Sequence, residues 1–173
     1  MKKVTTFMDE QLAASKRYES DKILTKTMIN NYAKNNLLPS PDKKKYSKEH
    51  VLTLLFIYYF KNILSINDIR SILNPLTEKY FGNDDGFTMQ DVYTEEISLE
   101  AEESQKLLKD LGKKYKIAGE TFENFPDEDQ KFLHTFSFIC MLSFDVYIKK
   151  MLIERMIDDL NEENEASKTG GKN

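Results

Sequence analysis

The chain has no tryptophan, one cysteine, two histidines, four prolines and six glycines among 173 residues. Each scarcity closes a class. A lone thiol, Cys140, cannot form an internal disulfide, so nothing points to an oxidising compartment. His50 and His134 lie far apart in sequence, and with one cysteine no zinc-like spacing exists. Few turn formers beside many Leu, Ile, Lys and Glu favour a mostly helical chain. The most apolar stretch, Phe132 to Ile148, is interrupted by His134, Thr135, Ser137, Ser143 and Asp145. It is shorter than the roughly 20 apolar residues of a membrane span. The opening Met1–Thr6 leads into polar residues and lacks the apolar core of a signal peptide. With no Gly-rich phosphate loop and no nucleophile elbow, neither a catalytic residue nor a cofactor is expected. The expectation is a soluble, cytoplasmic, non-enzymatic protein without a membrane partner.

What is present is a core under a solvated surface, with 40% of positions apolar and 31% charged. The net charge of −4 conceals a split. Residues 1–75 carry 13 Lys/Arg against 7 Asp/Glu, or +6, and residues 76–173 carry 12 against 22, or −10. Such asymmetry hints at a polyanion-binding module joined to something else, although lysine-rich faces are more often merely solvated.

Helical periodicity and caps divide the first half. Thr6 to Tyr18 reads as a helix with Phe7, Met8 and Leu12 on one stripe, broken by Ser20-Asp21-Lys22. Thr25 is a fitting N-cap for a second helix to about Asn35, with Met28, Ile29 and Tyr32 inward. Asn35-Asn36 stops it, Leu37-Leu38 anchors the chain, and Pro39-Ser40-Pro41-Asp42 turns it. Short pairing is expected beside Lys43 to Tyr46. Ser47 caps a third helix to about Asn62, and Ser65-Ile66-Asn67-Asp68 opens a short fourth, ended at Leu73 by Asn74-Pro75.

In the second half, Gly82-Asn83-Asp84-Asp85-Gly86 is a loop and a candidate boundary region. A short helix at Thr88–Asp91 and a longer one over Ser98–Tyr115 follow. Asp127 to about Glu162 is one long helix, its first-turn acids explained by the helix dipole. It is apolar nearly all round and must be buried by other elements, either as the core helix of a monomer or partly by a second copy. Cys140, among Phe138, Ile139, Met141 and Leu142, reads as an inert core thiol. The polar end from 161 to 173 is expected to be disordered.

Helix, turn, helix, proline-flanked basic loop and helix is the layout of a winged helix-turn-helix. A short helix can read base edges in the major groove while neighbouring lysines hold phosphates. The outward residues of the second helix are Lys26, Thr27, Asn30, Asn31 and Lys34. Asn pairs bidentately with adenine, and Lys serves phosphate or guanine. Lys43, Lys44 and Lys45 form the wing tip, with Tyr46 anchoring its return and Lys48 adding charge.

The run Ile29-Asn30-Asn31-Tyr32-Ala33-Lys34-Asn35-Asn36-Leu37-Leu38-Pro39 resembles the MerR-type motif Leu-Arg-Tyr-Tyr-Glu-x-x-Gly-Leu-Leu-x-Pro. Asn30 stands where that motif has Arg, and Asn36 where it has Gly. Over about residues 20–73 the resemblance implies a dimeric operator-binding module, with Asn30 and Asn31 at the DNA and Lys43–Lys45 as the wing. The strings Leu24–Tyr32, Lys44-Lys45-Tyr46-Ser47 and Leu64-Ser65-Ile66 resemble more closely an uncharacterised bacterial family, domain of unknown function 1836, over about residues 5–110.

The expected architecture is all-α: a MerR-like winged helix-turn-helix over 1–75, a helical dimerisation or sensor region over 76–160, and the tail. The expected function is a DNA-binding transcriptional regulator on double-stranded DNA. Its further partners are a homodimer mate at the C-terminal helices and a small-molecule effector in the Phe- and Met-rich region. The competing reading is a protein-interaction adaptor on the same fold that leaves DNA alone, its lysines meeting an acidic partner such as the acidic half of another copy; it favours a second helix that is buried or carries an uncharged apolar patch.

Overall fold

A computed structural model describes residues 1–43, 45–83 and 86–170, the last four by backbone alone. Among them the chain is all-helical, with six α-helices and no strand. These are α1 (Lys2–Gln11), α2 (Lys26–Lys34), α3 (Lys48–Phe60), α4 (Ile66–Tyr80), α5 (Met89–Gly119) and α6 (Asp127–Gly170). No described helix is long and apolar enough to cross a membrane. The chain divides into two compact units, one of residues 1–93 with 156–173, the other of residues 94–155.

The first unit is built around α3. Its residues His50, Leu52, Thr53, Leu54, Leu55, Ile57 and Tyr58 are all buried, so this helix has little solvated face. Met8, Ile29, Leu37, Leu38, Ile69, Leu73 and Met89 complete the core. Capping residues fix the helix starts as their sequence predicts. The Thr25 hydroxyl accepts from the Met28 N–H at 3.1 Å, and Ser47 and Ser65 form reciprocal capping boxes with His50 and Asp68.

Four elements depart from expectation. The first helix runs Lys2–Gln11 with Val4 and Met8 inward, and a 3₁₀ turn at Ala13–Ser15 replaces its expected second half. α4 passes through Pro75 to Tyr80. A proline costs a helix one hydrogen bond yet suits helical φ, and Phe81 packs edge-on against His50 at 4.8 Å, securing the final turn. The two expected helices after residue 88 are one, because no Gly or Pro falls between Met89 and Leu111. α6 runs past Glu162 to Gly170, so the polar stretch is helical that far.

The second unit is a helical hairpin of α5 and the first part of α6. Lys114 bridges Asp110 on its own helix, at 2.6 Å, and Asp145 on α6. Both carboxylates hold the Lys114 ammonium above its ordinary pKa. Tyr115 meets Phe138 edge-on at 5.4 Å, and His134 Nε2 lies 2.8 Å from the Thr121 carbonyl. Cys140, expected in a core, is exposed on α6.

Candidate nucleic-acid interface

α2 buries Ile29 and Tyr32 and turns its other edge to solvent. Lys26, Thr27, Asn30, Asn31 and Lys34 are all exposed, as the heptad-like spacing of the apolar pair requires. No hydrogen bond or ion pair within the described residues occupies the side chains of Lys26, Asn30, Asn31 or Lys34. The edge is polar, presented and unoccupied.

The end of α2 is held with unusual thoroughness. Asn36 takes the left-handed conformation, with φ +55°. Leu37 N–H donates to the Tyr32 carbonyl at 2.9 Å and Asn36 N–H to that of Ala33 at 3.3 Å, the paired bonds of a Schellman stop. Arg70 Nε reaches across from α4 to the Asn35 carbonyl at 3.2 Å, placing a cation at the negative end of the helix. Leu37 and Leu38 then plunge into the core. Asn36 thus does at this position what glycine does more cheaply.

The basic loop closes as a minimal turn. Asp42 and Lys45 form an isolated antiparallel bridge, with Lys45 N–H donating to the Asp42 carbonyl at 2.7 Å. Lys43, at φ +45°, makes the reversal. The expected pairing beside Lys43–Tyr46 is therefore one bridge. Lys43 and Lys45 are exposed, and Lys44 lies outside the described residues. Lys48 is exposed but engaged, its ammonium donating to Gln90 Oε1 at 2.6 Å. Tyr46 packs edge-on against His50 at 5.3 Å, and burial raises its phenol pKa.

One group of cations escaped the sequence. Lys16, Arg17, Lys22 and Lys61 line a hollow of about 310 Å³ with Asp21, Tyr58 and Ile23, immediately before α2. Lys61 donates to the Ile23 carbonyl at 3.0 Å and stands 4.6 Å from the centre of the Tyr58 ring. Burial lowers its pKa. Lys16, Arg17 and Lys22 are close in sequence and could have been grouped, but Lys61 joins them only through the packing of α3.

Among the described residues no cluster of His, Cys, Asp or Glu could hold a metal ion. A family model matches residues 1–96, more than half of the chain. The chain belongs to the family described as domain of unknown function DUF1836. No curated protein and no solved structure matches it. The DUF1836 match begins at Met1 and stops at Glu96, where 5–110 was expected. It takes in α1–α4, the basic turn and the hollow, and leaves most of the hairpin outside. The DUF1836 description carries no activity, and the MerR-type likeness rests on the residues alone.

Proposed function

We propose that the amino-terminal unit is a winged helix-turn-helix of MerR-like type that binds double-stranded DNA as a non-catalytic transcriptional regulator. The observation that carries this reading is the free polar edge of α2. Five side chains suited to base edges and phosphates face solvent there, on a helix fixed at both ends by buried or charged contacts. A rigid reading helix has little entropy left to lose on binding. The competing adaptor reading favours a buried helix or an uncharged apolar patch there, so the exposed polar edge weighs toward DNA. Asn30 and Asn31 take the base-reading role, Lys26, Thr27 and Lys34 flank them, and Lys43, Lys44, Lys45 and Lys48 hold phosphates. Arg17 and Lys22, which line the hollow just before α2, extend the positive surface, while Lys16 there is paired with Asp9 at 2.8 Å.

Selection from a random duplex library across a salt series tests this. Wild type is expected to enrich one motif with a steep salt dependence. Asn30→Ala with Asn31→Ala should abolish enrichment while leaving the salt dependence, because only base contacts are lost. Lys43→Glu with Lys45→Glu should lower the slope of log affinity against log salt by about two, one for each phosphate contact. Unchanged binding by that lysine pair refutes the wing, and failure to enrich any duplex refutes DNA recognition.

A further inference from the structure

Of residues 94–155, Ala118 alone is buried. A helical hairpin with one buried residue has no core, and small units without cores do not hold their helices unaided. The apolar side chains that should make the core are present but face outward. α6 carries two apolar stripes. One, with Phe138 and Asp145, meets α5. The other, Phe132, Phe136, Ile139, Phe144, Tyr147 and Met151, recurs every three to five residues and is 49–70% exposed. Aromatic side chains offer 150–250 Å² each, so at about half exposure this stripe and its neighbours present on the order of 800 Å². That is about what one partner contributes to a stable standard interface.

The stripe is complementary to itself. The apolar stretch from Phe132 to Ile148 has Cys140 at its midpoint. Before it, residues 127–131 hold three acids and one lysine, or −2; after it, residues 149–155 hold three cations and one acid, or +2. An antiparallel pair of such helices centred on Cys140 sets Phe136 of one copy against Phe144 of the other, and Phe132 against Ile148. The −2 end of each then meets the +2 end of the other. A two-fold arrangement of this kind closes, so it yields a dimer and no fibre.

We infer that two copies of the chain pair through the outer stripe of α6, antiparallel about a two-fold axis at Cys140. The pairing supplies the core that the hairpin lacks. It does not depend on the DNA reading, and its test contains no DNA.

Sedimentation of the full chain at tens of micromolar is combined with cross-linking by a short bis-maleimide. A dimer is expected, with the native Cys140 pair joined efficiently because the two thiols meet at the axis. With Phe132→Cys in a Cys140→Ser background, the two thiols stand about 24 Å apart along the axis (16 residues at 1.5 Å each) and should stay unjoined. Phe136→Asp should give monomers. A monomeric wild-type chain overturns the inference, whether it stays free or binds lipid vesicles instead. So does a dimer whose position-132 thiols cross-link, which would mean parallel helices.

Discussion

His50 illustrates how one side chain ties a cap to a core. It is 4% exposed, its Nδ1 accepts from the Ser47 N–H at 3.0 Å, and Nε2 therefore carries the ring proton. Among the described residues that Nε2 has no hydrogen-bond partner. A second proton on Nδ1 would face the Ser47 N–H, donor against donor. Burial accordingly holds the imidazole below its ordinary pKa of 6.5. The unfolded chain then takes up the proton first. His50's contribution to stability is complete above about pH 6.5 and is lost as pH falls toward its folded-state value. Thermal melts from pH 7 to pH 5 should decline more steeply for wild type than for His50→Gln, whose amide oxygen can still accept at the cap. Parallel declines would remove His50 as the source.

At the scale of elements, caps explain where helices begin better than periodicity explains where they end. Thr25, Ser47 and Ser65 each start the helix predicted for them, since a hydroxyl three residues before an amide is a local device. α4 outlasts Pro75 because a distant aromatic contact holds its last turn, and that contact is invisible to a local pattern. The end of α2 is a local device again, with Asn36 in a conformation that L residues adopt at a cost. Asn36→Gly should raise unfolding free energy by up to about 1 kcal/mol, read from urea melts. A loss of stability would mean that the Asn36 side chain does more than tolerate the turn. The same exchange would bring the chain nearer to the MerR-type motif at this position.

For the whole molecule, the uneven distribution of buried surface is the governing fact. The unit built on α3 contains nearly every buried residue, while the hairpin exposes Leu108, Phe132, Phe144 and Leu152, each by at least 60%. If a second copy supplies the missing core, folding of the hairpin is coupled to association. Its melting temperature should then rise with protein concentration over the micromolar range, as mass action requires. A transition independent of concentration, followed by helix circular dichroism, would mean that the hairpin stands alone. Two linked copies would also present two reading helices, so a selected DNA motif should consist of two symmetric half-sites.

The amino-acid sequence by itself determined the helical class, the three serine and threonine caps, the stop at Asn35-Asn36 and the polar edge of α2. These follow from interactions spanning a few residues, which a linear pattern contains. It also marked α6 as apolar nearly all round, without saying which side stays uncovered. Tertiary structure decided the rest: Lys61 beside Lys16 and Lys22, Arg70 at the end of α2, His50 walled by Tyr46 and Phe81, and Cys140 left facing outward. Each of these depends on which helix packs against which, and packing is settled by shape and burial between residues distant along the chain.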